Sequence, residues 1–209
     1  MRPSKVSEST IKRLSIYLRE LKNLSKSHVR FISSQDLSSR LGLSDAQIRK
    51  DLSYFGAFGK IGVGYYVEGL KSAIESILGV NSKTWKVAIV GAGKLGSALA
   101  SYSGFSNRGF EIQACFDNDK NKIGQYLSRV RIEDSSRIKN VIRKRDIKIG
   151  IIAVPYDQAQ KVADELVKGG VKSILNFAPA KIKTDKIVHV KDVDLSMELE
   201  GLSFYLSRE

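Results

Sequence analysis

An unbroken apolar run, Val87-Ala-Ile-Val90, turns directly into Gly91-Ala-Gly-Lys-Leu-Gly96 and continues as Ser-Ala-Leu-Ala100. An apolar run of that length stopped by glycine reads as a buried strand, and the small and apolar residues after it read as a helix. The glycines fall where such a turn needs them. Gly91 permits the tight bend, Gly93 lets backbone approach a phosphate, and Gly96 lets the helix lie close on the sheet. Strand–turn–helix of this kind commits the chain to parallel pairing, because the next strand must return by a crossover.

Downstream the same grammar repeats. Apolar segments at 86–90, 110–116, 147–154, 171–176 and 187–190 alternate with helical patterns at 95–102, 137–145, 158–168 and 195–206. The alternation predicts an α/β domain over residues 85–209: a Rossmann-type, doubly wound parallel sheet closed by helix 195–206. Asp117 ends the second strand, 21 residues beyond Gly96. An acid there can bind both hydroxyls of an adenine ribose and repel a 2′-phosphate. Gly91, Ala92, Gly93, Lys94, Leu95 and Gly96, together with Asp117, therefore predict a site for NADH and NAD+. Coenzyme A or another adenine nucleotide is the competing ligand, since one fold serves several. Two later strands close in Ala153-Val154-Pro155 and in Asn176-Phe177-Ala178. A ligand laid across the carboxyl ends of the strands would have these turns beside its nicotinamide half; as ordinary strand ends they would bind nothing.

Residues 1–80 follow a different pattern. Ile11, Leu14, Leu18, Leu21 and Leu24 form a helical stripe. Ser33 and Asp36 open a second helix with Leu37 and Leu41 inward, and Gly42 ends it. Ser44 and Gln47 open a third with Ile48, Leu52 and Phe55 inward, which leaves Gln47, Arg49, Lys50, Ser53 and Tyr54 for its outer side. A short helix, a glycine turn and a helix with a basic polar face make a helix-turn-helix. Glycines at 56, 59, 62 and 64 among apolar and aromatic residues predict a hairpin, a wing, with Lys60 near its tip. A short helix at 70–78 and a linker at 79–84 complete this N-terminal winged-helix domain.

Charge agrees with that division. The chain carries a formal net charge of +13, and residues 1–84 hold 14 Lys/Arg against 7 Asp/Glu. An excess of that size favours polyanions such as DNA. One cysteine, Cys115, excludes an internal disulfide and a cysteine-based metal cluster. No apolar run is long enough for a membrane span or a signal core, so the expected location is cytoplasmic, with neither membrane nor metal among the partners.

Catalytic groups are harder to find. The chain has two histidines: His28 lies far from the cradle in sequence, and His189 has no evident orienting partner. With no further domain to hold a substrate, the residues point to binding rather than turnover. The rival readings are a small NAD-dependent oxidoreductase with an accessory helical domain, and a nucleotide-binding module that turns its winged helix toward protein.

Taken together, Ala46-Gln-Ile-Arg-Lys-Asp-Leu-Ser-Tyr-Phe-Gly56, the wing GKIGVGY, the cradle VGAGKLGSALA, then CFDNDKNKIG, IIAVP and ILNFAPA resemble the Rex family of redox-sensing transcriptional repressors, in order and spacing. The similarity runs from about residue 7 to 207. It implies a homodimer on palindromic double-stranded operator DNA, released by NADH and not by NAD+. It further implies recognition of DNA through Ser44, Gln47, Arg49, Lys50, Ser53, Tyr54 and Lys60. A C-terminal helix swapped onto the partner subunit is implied too, with Asp194 switching between Tyr102 and Arg19 according to cofactor. One departure is visible: many members carry two basic residues at the wing tip, where this chain has Lys60-Ile61.

Overall fold

The computed structural model describes residues 6–60, 62–81, 83–184 and 187–208. The chain divides into two compact units, with the boundary between Lys83 and Thr84.

The first unit runs α1 (Glu8–Lys26), β1 (Phe31–Ile32), α2 (Ser34–Leu41), α3 (Asp45–Ser53), β2 (Gly59–Lys60), β3 (Gly64–Tyr66) and α4 (Val67–Ile77). Side-chain hydroxyls start its first three helices: Ser7, Ser33 and Ser44 accept from the amides of Thr10, Asp36 and Gln47. Each satisfies an orphan donor of the first turn. Gly42 ends α2 with φ +64°, the left-handed cap that glycine adopts without strain. The apolar stripe of α1 is rotated from the expected one. Ile11 is exposed, while Thr10 and Tyr17 join Leu14, Leu18, Leu21 and Leu24 in the core. Helix α4 starts at Val67 rather than at 70, because β3 runs straight into it and buries Val67.

Strand β1 has no counterpart in the sequence reading; its two residues are too few to show a period. It pairs antiparallel with β3, giving the order β1-β3-β2. Gly64 makes the docking possible, since a Cβ there would meet the Ile32 carbonyl oxygen at 2.5 Å. Ile61 lies outside the described residues.

The second unit runs β4 (Trp85–Val90), α5 (Lys94–Ala100), α6 (Ser103–Ser106), β5 (Phe110–Asp117), β6 (Tyr126–Leu127), β7 (Val130–Asp134), a 3-10 turn (Ser135–Arg137), α7 (Ile138–Arg145), β8 (Ile149–Ile152), α8 (Tyr156–Gly169), β9 (Ser173–Asn176), β10 (His189–Asp192) and α9 (Leu195–Leu206). Its sheet has the order β10-β9-β8-β4-β5-β7-β6. Every pair is parallel except β6 with β7. The expected all-parallel sheet is thus mixed at one edge by the unforeseen β6–β7 hairpin. Ala88, Val90, Phe116 and Ile152 face Ile138, Ile142 and Leu166 on one side, while Val87, Ile89, Cys115 and Ile151 face the other. Burial on both faces explains why these strands read as continuous apolar runs.

The predicted helix at 95–102 ends at Ala100, and Tyr102 stands at the N-cap of α6 instead. From β4 the chain moves to β5 on one side and later returns to β8 on the other. The carboxyl ends of β4, β5 and β8 therefore enclose the crevice of a topological switch point.

Candidate functional site

A cavity of about 830 Å³ opens at that switch point. Gly91, Gly93, Lys94, Leu95, Asp117, Ala153, Val154 and Pro155 line it, all of them expected from the sequence. The glycines are fixed by packing. A Cβ on Gly91 (φ +101°) would sit 2.3 Å from the Ala153 carbonyl oxygen, and one on Gly96 would overlap the Gly91 carbonyl oxygen. A Cβ on Gly93, by contrast, would meet nothing within 4 Å, because Gly93 faces the cavity. Backbone is bare there, as close approach of a pyrophosphate requires.

Asp117 is almost wholly buried. Its carboxylate accepts from the amides of Ala92 (2.8 Å) and Asp119 (2.9 Å) and from Lys122 Nζ (3.3 Å). Burial opposes its charge, but these donors prevail and hold its pKa below the usual carboxylate range. An ionised acid, tied to the cradle amide of Ala92, thus stands at the wall before any ligand arrives.

The remaining cofactor candidates fall elsewhere. Ala92 acts through its amide, and Gly96 packs beneath the turn. Asn176 is fully buried and knits its own loop. Its amide donates to the carbonyls of Ala178 and Ala180 and to Asp192, while its carbonyl accepts from Ala178 N. Asn176, Phe177 and Ala178 are not among the residues that line this cavity, and the Asn176 side chain serves the turn. Sequence reasoning missed Lys122, Ser135, Ser136, Gln158 and Lys161, which do line it. Lys122 lies in the loop after β5, and Ser135 and Ser136 in the turn after β7; with β7 unseen nothing placed those two serines at a strand end. His189 starts β10 in register with Ser173, at the amino edge of the sheet and away from the cavity. Cys115 is fully buried, and burial pushes its thiol up to about 12.

In the first unit α3 presents Ser44, Arg49, Lys50, Ser53 and Tyr54 to solvent. Arg49 leans back on Asp45 (2.5 Å) and Ser34 (3.0 Å). Between α3 and the wing lies a hollow of about 500 Å³, lined by Arg49, Ser53 and Lys60 with Ser33, Ser34 and the wing glycines. Ser33 and Ser34 were not anticipated, since their place at the start of α2 concealed their position beside the wing. On the inner side of α3, Asp51 is fully buried and ion-paired to Arg13. Burial raises the carboxyl, yet donors from Arg13, Tyr17 and Gln47 bring it below its ordinary value.

Of the three expected switch residues, Tyr102 is exposed and packs edge-on against Phe105. Asp194 caps α9 by accepting from Ser196 N at 2.9 Å. Among the described residues no hydrogen bond joins Asp194 to Tyr102. Arg19 is exposed on α1, between the buried Leu18 and Leu21 in sequence. All the side chains of α9 from 195 to 206 are exposed. No helix of the described residues is long and apolar enough to cross a membrane, and no group of three or more His, Cys, Asp or Glu residues among them could hold a metal ion.

A winged helix joined to a dinucleotide-type cradle defines a DNA-binding regulator with a separate small-molecule sensing unit. Comparison with known proteins agrees for both halves. Residues 5–53 match the model of a putative DNA-binding protein N-terminus, and residues 82–180 match that of a CoA binding domain. The redox-sensing transcriptional repressor Rex of Carboxydothermus hydrogenoformans is 47% identical over 209 residues, the whole of both chains. That of Syntrophomonas wolfei is 47% identical over 99% of this chain and 98% of its own. The crystal structure of RSP in complex with β-NAD+ and operator DNA has a TM-score of 0.94 at 40% identity, covering 98% of this chain and 94% of its own. RSP in complex with β-NADH has a TM-score of 0.87 at 38% identity, covering 98% and 96%. The chain belongs to the Rex family of redox-sensing transcriptional repressors.

Proposed function

We propose that this chain represses transcription as a homodimer on palindromic operator DNA and leaves it when NADH occupies the cavity of the second unit. The observation that carries the reading is the union, in one chain, of an exposed basic α3 face and a cavity that meets the bare backbone of Gly93 beside a buried, ionised Asp117. The protein would act in the cytoplasm, where bacterial DNA lies, and as a regulator it would turn over no substrate.

Each residue has a task in this reading. The amides around Gly91–Leu95 would hold a pyrophosphate, and Asp117 would take the adenine ribose hydroxyls, exchanging the Ala92 and Asp119 amides for them in part. Val154 and Pro155 would shape the neighbouring wall. Reduced and oxidised nicotinamides differ by one positive charge, the distinction that the cofactor supplies. On the DNA side Gln47, Arg49 and Lys50 would read base edges, and Ser44, Ser53, Tyr54 and Lys60 would hold phosphates. The exposed leucines of α9 would be buried by a second copy. Asp194, held only by its own cap, would be free to exchange it for Tyr102 or for Arg19.

A ligand shifts such an equilibrium only through unequal affinity for its two states, so NADH and DNA must weaken each other by the same factor. The test is fluorescence anisotropy on a Rex-type palindrome at about 150 mM salt, titrated with NADH and separately with NAD+. Release by NADH alone is expected. Binding indifferent to both nucleotides would discard the sensing claim, and an NADH affinity unchanged by operator DNA would refute the coupling.

A further inference from the structure

Asp51 sits in the middle of the string that reads as a recognition helix, yet it is fully buried while Arg49, Lys50, Ser53 and Tyr54 are exposed. Its two oxygens gather four neighbours. Oδ1 accepts from Gln47 Nε2 (2.9 Å), from an Arg13 terminal nitrogen (2.8 Å) and from Thr10 Oγ1 (3.4 Å). Oδ2 accepts from Arg13 Nε (2.5 Å) and from the Tyr17 hydroxyl (2.7 Å). Arg13, Tyr17 and Thr10 all stand on α1, so the carboxylate is clamped from the core side. Only Gln47 reaches it from α3's own surface, one turn earlier.

That contact has a chemical consequence. An amide can place either its nitrogen or its oxygen toward a neighbour, and the choice depends on what the neighbour offers. An ionised carboxylate offers only acceptors, and Asp51 is held in that form by its donors. The nitrogen of Gln47 must therefore face Asp51. Its carbonyl oxygen is turned away and accepts nothing from the described residues. Gln47 belongs to the first turn of α3, the part of a recognition helix that contacts base edges.

We propose that Asp51 is a positioning residue for sequence readout: it fixes the Gln47 amide with its carbonyl outward, so that Gln47 selects a base carrying an exocyclic amine in the major groove. Adenine N6 and cytosine N4 are the groups that qualify. Guanine and thymine present acceptors there and would meet oxygen with oxygen. This inference rests on the DNA-binding reading above and specifies its chemistry at one position.

The test is a single-position scan of one operator half-site at physiological salt, comparing the wild-type chain with Gln47→Ala. The side chain is half-exposed, so the truncation leaves the core intact. Each adenine is replaced in turn by purine, which lacks only the 6-amino group, and each cytosine by 2-pyrimidinone, which lacks only the 4-amino group. The expected result is one position where removing the amine weakens wild-type binding about tenfold and leaves Gln47→Ala unaffected. Asp51→Asn, which can face Gln47 with either donor or acceptor, should keep its non-specific DNA affinity and lose about tenfold discrimination at that same position. A merely structural role would weaken all sequences alike. If Asp51→Asn does not fold, the analogue scan still decides. The proposal is overturned if Gln47→Ala loses discrimination at a guanine or thymine, or at no position. Failure of the wild-type chain to prefer any sequence would instead sink the DNA-binding reading itself.

Discussion

Gly91 and Gly93 stand two residues apart in the same turn, yet their replacement by alanine should do opposite things. At Gly91 the backbone has φ +101° and the new Cβ would lie 2.3 Å from the Ala153 carbonyl oxygen. Left-handed strain and a clash with backbone each cost about 1–3 kcal/mol, so Gly91→Ala should lower stability by upward of about 2 kcal/mol. Gly93 caps α5 with φ −78° and ψ −171°, open to any residue, and its Cβ would meet nothing within 4 Å. The entropy lost by the unfolded chain and the poorer cap nearly offset, so Gly93→Ala should leave stability within about 1 kcal/mol of wild type. Its methyl group would instead stand in the cavity. A phosphate pushed back by as little as about 0.6 Å leaves hydrogen-bonding range, and one charge-assisted bond is worth about 1.5–3 kcal/mol. NADH affinity should fall roughly tenfold to a hundredfold. Urea denaturation without nucleotide gives the first quantity, and NADH fluorescence titration the second. Operator binding by Gly93→Ala should persist and resist release by NADH. NADH affinity within threefold of wild type, or a stability loss as large as that of Gly91→Ala, would refute the reasoning.

Asp51 should make the protein acid-sensitive. Its folded pKa is lowered, so its stabilisation is complete above the unfolded value near about 3.9 and is lost as pH falls through the lower folded one. Urea midpoints should drop below about pH 4 more steeply in wild type than in Asp51→Asn, and Asp51→Ala, which strands Arg13, should cost about 3–5 kcal/mol at neutral pH. For Lys60→Ala, a plot of log affinity against log salt on operator DNA should lose about one unit of slope. An unchanged slope would remove the wing lysine from the interface. Placing two charges on α9, Leu199→Glu with Leu202→Glu, should shift the protein to monomer in sedimentation equilibrium and weaken operator binding by more than about tenfold.

How legible a residue was depended on whether its physics is local. The cradle was readable because a strand-to-helix turn on phosphate makes demands that only glycine meets, within six residues of chain. The capping serines and Gly42 were readable for the same reason. Asp51 was not: a charged residue inside a basic helix looks like surface, and its partners Arg13 and Tyr17 stand 38 and 34 residues away. Asn176 shows a second kind of non-local role. A polar residue closing a strand resembles a ligand contact, and here its side chain also ties the loop to β10 through Ala178, Ala180 and Asp192. Strand β7 was hidden because Val130-Arg-Ile-Glu-Asp134 interleaves charge with apolar residues, as suits a strand beside the sheet's edge.

Helix α9 sets Leu195, Leu199, Leu202 and Leu206 along one side, each more than half exposed. Water is a poor neighbour for such a stripe, and a chain left alone would seek cover for it by whatever contact came first. On the homodimer reading the correct cover is an identical helix-bearing chain, so completing the fold is a second-order event. Regulator abundance then counts twice. Halving the number of chains in a dilute cell would reduce the assembled form by more than half, and unassembled chains would be the ones open to proteases. Repression would carry a threshold in expression level, separate from any nucleotide.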